Sequence, residues 1–144
     1  MTFDVADLRA HLMGHWRVER TVLDRSTGAR GTFTGTVVFE PDGGGLSQRE
    51  AGTLVWPTHT GPATREYGWR GTADAAVMDV LFPDGRAFHS LDLSRGCWTA
   101  EHWCSPDTYL VRFTATSADR LDYEWDVKGP AKDLLLHTSL FRAG

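Results

Sequence analysis

An ionisable side chain points toward the predicted interior in the stretch FPDGRAFHSLDL, residues 82–93. Its Pro-Asp-Gly segment, residues 83–85, predicts a tight turn from which a strand leaves. Along that strand His89 alternates in step with Leu91 and Leu93, so these three side chains share the more apolar face. Phe88 lies on the opposite face and is predicted to point outward. A histidine aimed at a core needs a partner, a ligand or water.

The same alternation places further polar side chains on the faces predicted to line the interior. They are Arg20, Gln48, Glu50, Arg65, Tyr67, His102, Tyr109, Tyr123 and Arg142. A dry core tolerates few such groups, because each must be paired or it destabilises the fold. We therefore expect the interior to be a lined cavity. One alternative stays open: Glu50 pairs with Arg20 or with Arg65 as a buried ion pair that only fixes strand register.

Acid–base catalysis is the chemistry that these residue types favour. Histidine exchanges protons near neutral pH, so His89 and His102 are the predicted catalytic pair. Glu50 would act as a base or orient a histidine, and Tyr67 would donate to a carbonyl oxygen. The predicted ligand-binding residues are Arg20, Gln48, Arg65, Trp69, Tyr109, Tyr123 and Arg142. Of these, Arg20 or Arg65 could hold an enolate or a carboxylate.

The segment EHWC allows a second chemistry. His102 and Cys104 lie two residues apart on one strand face and could bind zinc together with His89 and Glu50. The spacing matches no diagnostic metal motif, and the sequence has no nucleophile elbow and no nucleotide-binding glycine loop. We therefore predict no metal and no cofactor. Haem held by one of the histidines stays open as an alternative.

Ten strands and one helix are predicted to position these residues. The helix covers residues 4–13, with Asp4 as its N-cap and Val5, Leu8 and Leu12 on one stripe. The predicted strands are residues 16–23, 33–40, 46–55, 65–70, 77–82, 87–93, 98–103, 109–116, 121–127 and 134–141. This pattern predicts an all-β fold: a single antiparallel up-and-down β-barrel over residues 15–142, in one domain of residues 1–144. A two-sheet sandwich is the alternative.

Composition limits the partners. The formal charge of −4, from 15 Lys and Arg against 19 Asp and Glu, argues against a nucleic-acid partner. No apolar run approaches the ~20 residues of a membrane span, and the N-terminus lacks an apolar signal core, so we expect a cytoplasmic protein with no membrane partner. Cys97 and Cys104 flank the predicted strand of residues 98–103. If both lie on one extended strand they are too far apart to pair, and both are predicted to be reduced thiols. The oligomeric state stays open, a homodimer included.

The opening segment LMGHWRVER resembles lipocalin-like (calycin) barrels, in which a helix and a Gly-x-Trp entrance lead into the first strand. Trp16 matches the tryptophan that closes the bottom of such barrels. The fuller pattern, GHWRVER…GTFTG…REAG…REYGWR…FPDGRAFHSLDL…EHWCSPDTYLV…WDVKGPAKD, resembles a family of small bacterial proteins of unassigned function with a lipocalin-like barrel. The resemblance implies a cavity for an apolar or amphiphilic small molecule.

Three functions follow from these observations. The first is a cofactor-independent acid–base enzyme, of the cyclase, isomerase or dehydratase type, acting on a small and largely apolar substrate of specialised metabolism. The second is a non-catalytic carrier or sequestering protein for a hydrophobic ligand or haem. The third is a structural or interaction domain in which the inward polar groups pair with one another.

Overall fold

The computed structural model describes residues 2–143, which form one short helix and ten strands. The helix is α1 (Leu8–Leu12). The strands are β1 (Gly14–Asp24), β2 (Arg30–Asp42), β3 (Gly45–Trp56), β4 (His59–Gly71), β5 (Val77–Leu81), β6 (Ala87–Asp92), β7 (Cys97–Cys104), β8 (Asp107–Ser117), β9 (Arg120–Lys128) and β10 (Asp133–Arg142). Each predicted strand is present, and β4 begins earlier than predicted because His59–Ala63 also pair with β3.

The strands form a nearly closed antiparallel barrel. Their order is β6-β5-β4-β3-β2-β1-β10-β9-β8-β7, so strands that are neighbours in sequence pair with each other except β6 and β7, and β1 also pairs with β10. Within residues 2–143 no backbone ladder joins β6 to β7. Across this seam the indole Nε1 of Trp98 donates to the carbonyl oxygen of Ser90 at 2.9 Å. The prediction of an all-β, up-and-down barrel with a short N-terminal helix is confirmed.

The N-terminal segment covers one end of the barrel. The backbone N–H of Phe3 donates to Ala115 at 2.8 Å and that of Val5 to Leu93 at 2.9 Å, which holds this segment extended across two strands. These bonds prevent the helix from starting at Asp4 as predicted. The helix instead begins after Asp7, whose side chain accepts a hydrogen bond from the N–H of Ala10.

Trp16 seals the same end. Its side chain is fully buried, and its Nε1 donates to the carbonyl oxygen of Leu12 at 2.8 Å. The guanidinium of Arg142 lies 4.1 Å from the centre of the Trp16 ring and donates to the backbone oxygens of His11 and Ala118. Trp16 therefore occupies the place that the lipocalin-like resemblance implies. We call this the closed end, and the opposite end, with the turns after β1, β3, β5, β7 and β9, the mouth.

Strands β2 and β3 approach each other closely at a facing pair of glycines, Gly35 and Gly52. A Cβ added at Gly35 would lie 2.1 Å from the carbonyl oxygen of Ala51, and one added at Gly52 would lie 2.1 Å from that of Thr34. Side chains cannot fit at this distance. Glycine here lets the sheet bend sharply enough to close into a barrel.

Neither cysteine forms a disulfide: Cys97 and Cys104 are both free and exposed. They lie at the two ends of β7, Cys97 toward the closed end and Cys104 at the mouth. Among residues 2–143 there is no helix that could span a membrane.

Candidate functional site

The mouth half of the barrel contains an open cavity of about 420 Å³. The closed-end half is filled with apolar side chains, including Trp16, Leu46, Leu91 and Leu140. The cavity is lined by Arg65, Tyr67, Phe82, Arg86, Ala87, Phe88, His102, Cys104, Tyr109, Trp125, Val127, Lys132, Leu134 and Leu136. Its volume is in the range of small-molecule sites, roughly 300–1,000 Å³.

A β-bulge in β6 places Phe88 inside the cavity. Val80 pairs with His89, but the next residue, Leu81, pairs with Ala87, so Phe88 is an additional residue without a partner on β5. As a result both Phe88 and His89 face the interior, and Phe88 is 7% exposed. The prediction that Phe88 points outward was wrong, because the bulge breaks the two-residue alternation on which it rested.

Phe88 is the centre of an aromatic wall. Its ring stacks on Trp125 with 5.0 Å between centroids and an interplanar angle of 12°, and on Phe82 at 4.2 Å and 22°. Tyr67 stacks at 5.9 Å, and the ring of His102 meets Phe88 edge-on at 5.2 Å. The wall can therefore stack against a flat apolar molecule that enters from the mouth.

His89 lies deeper, below the aromatic wall. Its Nδ1 is 2.8 Å from the carbonyl oxygen of Ser90, which can only accept, so Nδ1 carries the proton and Nε2 keeps its lone pair. Burial lowers the pKa of His89; the hydrogen bond to Ser90 opposes this shift, and the charge of His102 adds to it. His89 is therefore a neutral imidazole at neutral pH. The aromatic rings of Phe88, Phe113 and Trp125 surround it.

Arg20 and Glu50 form a buried ion pair in the middle of the barrel. Arg20 Nη1 and Nη2 lie 2.6 and 2.8 Å from the two oxygens of Glu50. Arg20 also donates to Thr138 Oγ1 at 2.7 Å and to the Tyr123 hydroxyl at 3.2 Å. Burial raises the pKa of the Tyr123 phenol, and the charge of Arg20 offsets this only in part. With both oxygens of Glu50 and the hydroxyl of Tyr123 bound to Arg20, this group favours the register-fixing alternative.

Gln48 and Trp69 form a second buried pair. The indole Nε1 of Trp69 donates to Gln48 Oε1 at 2.9 Å, and both residues are 6% exposed. They lie on neighbouring strands next to Phe39 and line the small space beneath the cavity, outside the main cavity itself. The pair satisfies two polar groups of the closed-end core.

Arg65 has a different environment from Arg20. It lies directly opposite Glu50 in the β3–β4 register, but the carboxylate of Glu50 is bound by Arg20. Among residues 2–143 no carboxylate lies within salt-bridge distance of Arg65 and no side chain accepts a hydrogen bond from it. Arg65 lines the main cavity and both smaller spaces that adjoin it. The positive charge of Arg65 therefore faces the cavity without a carboxylate partner.

The rim carries two cations that are already paired. Arg86 Nε lies 2.7 Å from Asp84 Oδ2, and Lys132 Nζ lies 3.3 Å from Asp107 Oδ2. The hydrogen bond to Asp107 raises the pKa of Lys132, and the neighbouring Tyr109 adds to this shift. Arg86 and Lys132 therefore add no net charge to the opening.

The structure brings together some of the predicted site residues and separates others. Four line the main cavity: Arg65, Tyr67, His102 and Tyr109. Gln48, Trp69, His89 and Tyr123 line the space beneath it, and Arg20 and Glu50 border a third space beside Arg65. Arg142 lies at the closed end, outside all three, because its side chain caps Trp16. Sequence reasoning missed Phe82, Phe88, Trp125 and Lys132 as lining residues.

No metal centre is formed by the residues that the structure describes. Among residues 2–143 no three His, Cys, Asp or Glu side chains come together as ligands would. His102 and Cys104 both line the cavity, but Glu50 is bound to Arg20. The available groups thus suit binding and proton transfer.

With this geometry established, the sequence can be compared with known families. Residues 12–142 match DUF6314, a family of unknown function. The chain belongs to this family. The match covers the whole barrel and confirms the expected membership in a small family without an assigned activity. No curated protein matches the sequence.

Solved structures of low sequence identity show the same barrel fold. The S-type phycobiliprotein lyase CPES from Guillardia theta superposes with a TM-score of 0.64 at 9% identity, over 94% of this chain and 90% of the lyase. A DUF3598 protein of unknown function from Nostoc punctiforme gives 0.59 at 14% identity, over 93% of this chain and 48% of that protein. A redesigned β-barrel, mFAP1, bound to DFHBI, gives 0.50 at 17% identity, over 93% and 97%. At these identities the likeness shows the fold.

Proposed function

We propose that this DUF6314 protein binds a small, flat, largely apolar molecule in the cavity at the mouth of the barrel. The observation that carries the proposal is the contrast between the two halves of the interior. The closed-end half is filled and sealed by Trp16, whereas the mouth half keeps about 420 Å³ open behind an aromatic wall. Stacked rings such as Phe88 and Trp125 supply large apolar contact areas to a flat ligand.

The fold supports this proposal by analogy. A redesigned barrel of this fold binds DFHBI, and a second neighbour is a phycobiliprotein lyase. Neither identifies the ligand here, since fold alone does not fix function. They support the use of such an interior as a small-molecule site.

The two free cysteines allow a direct test. Cys104 lines the cavity, whereas Cys97 lies on the same strand at the closed end and outside it. We would label Cys97→Ser protein at Cys104 with a bulky maleimide and titrate the neutral fluorophore N-phenylnaphthylamine. Binding is expected in unlabelled protein and lost after labelling, because the adduct fills the mouth.

The matched control is Cys104→Ser protein labelled at Cys97 with the same reagent. It should bind the fluorophore as well as unlabelled protein does. The proposal fails if the fluorophore binds neither Cys97→Ser nor Cys104→Ser protein before labelling. It also fails if labels at Cys104 and at Cys97 reduce binding equally, because the cavity is then not the binding site.

Proton transfer on the bound molecule is a second candidate function, favoured by the state of His89. This histidine is neutral, its protonated Nδ1 is fixed by Ser90, and its Nε2 is available as a base. His102 and Tyr67 lie at the aromatic wall as further donors. Glu50 is not needed in this scheme, because it is bound to Arg20.

The test of this candidate is deuterium exchange. Native mass spectrometry of protein from its own host identifies the natural ligand, which is then incubated with the protein in heavy water. An enzyme incorporates deuterium into carbon-bound positions of the ligand, and His89→Gln abolishes incorporation without loss of binding. A carrier returns the ligand unlabelled, which would refute this candidate and leave the binding function intact.

A further inference from the structure

The cavity contains one cation that the protein does not neutralise. Six other charged groups border the interior or its rim in three balanced pairs: Arg20 with Glu50, Arg86 with Asp84, and Lys132 with Asp107. Arg65 has no such partner among residues 2–143.

The position of Arg65 determines where in the barrel this unpaired positive charge lies. Its side chain lines the main cavity beside Tyr67 and also the two adjoining spaces, so it stands where the aromatic wall meets the polar middle of the barrel. Glu50 cannot turn to Arg65 without giving up the bidentate contact with Arg20. The charge thus stays unpaired while the cavity is empty, although the chain as a whole carries −4.

We infer that the cavity selects an aromatic anion, with a carboxylate or similar planar oxyanion on Arg65 and the flat body against Phe88 and Trp125. This inference rests on the proposed binding function and adds the chemical class of the ligand. A guanidinium can donate two parallel hydrogen bonds to such an oxyanion. Tyr67, stacked on Phe88, can donate a third hydrogen bond from the same wall.

A matched pair of fluorophores tests this inference. N-phenylnaphthylamine and anilinonaphthalene sulfonate share one aromatic skeleton and differ by a single sulfonate. Wild-type protein should bind the sulfonate about tenfold more tightly than the neutral compound, despite the lower hydrophobicity of the anion. Arg65→Met should abolish this preference while the affinity for the neutral compound stays within about twofold.

The control is Arg49→Met, which removes the same charge from an exposed position of β3 outside the cavity lining. Because Arg49 is paired with Glu66 on the outer face of the sheet, this variant should keep the preference for the anion. A competition experiment extends the result to carboxylates. Naphthoate should displace the sulfonate fluorophore more effectively than the uncharged naphthalenemethanol does.

The outcomes separate the inference from the proposed function. Equal binding of the two fluorophores by wild type overturns the inference and leaves the binding function standing. Equal losses of the preference in Arg65→Met and Arg49→Met also overturn it, since they show long-range attraction of the anion and no binding site for it at Arg65. Absence of binding by both compounds overturns the binding function itself. The wild-type comparison needs no variant, so it decides the matter even if Arg65→Met does not fold.

Discussion

Loss of the carboxylate charge of Glu50 should destabilise the barrel far more than loss of any surface carboxylate. The side chains of Arg20 and Glu50 are only 4% and 2% exposed, so water cannot replace the missing partner. In Glu50→Gln the amide keeps one acceptor but turns an N–H toward a guanidinium nitrogen. One charged hydrogen bond is lost and the Arg20 charge is left buried without a counter-charge.

The magnitude follows from these contacts. Removing one partner of a buried ion pair costs about 3–5 kcal/mol. For a chain of this size that corresponds to a fall in Tm of roughly 10–15 °C. Urea unfolding followed by tryptophan fluorescence measures the change in the free energy of unfolding. Glu66→Gln is the control: Glu66 on β4 faces Arg49 on β3 at 3.8 Å, and both are exposed, where such pairs are worth about 0–1 kcal/mol.

A double-mutant cycle isolates the pair itself. The double variant Arg20→Met/Glu50→Gln should lose less free energy of unfolding than the sum of the two single variants. This is because the double variant leaves no lone buried charge. We expect a coupling energy of about 2 kcal/mol or more. A coupling below about 1 kcal/mol, or an effect of Glu50→Gln no larger than that of Glu66→Gln, would refute a buried bidentate pair.

Three further predictions test the wall, the inward-facing His89 and the barrel bend. Phe88→Ala should lower the free energy of unfolding by about 3–5 kcal/mol in urea titrations, whereas a loss below about 1 kcal/mol would mean that the ring faces outward. Because the folded-state pKa of His89 is lowered, this residue reduces the stability of the fold as the pH falls below its ordinary pKa of about 6.5. The Tm of His89→Gln should therefore fall less than that of wild type between pH ~7 and pH ~5. The similarly shifted His11 accounts for a remaining fall, and a fall equal to that of wild type would contradict the inward, partly desolvated position of His89. Gly35→Ala should destabilise the barrel by about 1–3 kcal/mol and Gly44→Ala, with nothing within 4 Å of its added Cβ, by far less; equal effects in the same assay would argue against the close approach of β2 and β3.

The two-residue period of a strand explains why most of the interior could be predicted from the sequence. Where the strands run regularly, alternation placed Arg20, Glu50, Tyr67 and His102 correctly on the inner face. It could not predict the bulge at Phe88, because a bulge depends on how two strands fit together and leaves no mark on either strand alone.

The choice of partner for Glu50 was likewise open at the level of sequence. Its direct neighbour in the register is Arg65, yet its carboxylate is bound by Arg20, which lies on β1, two strands away. Arg20 pairs with Phe33 on the intervening strand and Glu50 pairs with Val37. Gly35 lies between these two positions and has no side chain to obstruct the contact. The register of three strands therefore determines that Arg20 binds Glu50 and that Arg65 does not.

The bulge at Phe88 links the weakest part of the barrel wall to the cavity. Between β6 and β7 the described strands form no backbone ladder, so side chains must close this seam. An additional inward residue supplies them: Phe88 reaches Trp125 and His102 on the far side, while His89 stays inward beneath it. A regular strand would have turned one of these two rings to the solvent and left either the seam or the cavity floor without an aromatic group. The same irregularity thus closes the barrel and builds the wall of the proposed site, which is the physical reason to place ligand binding at this end.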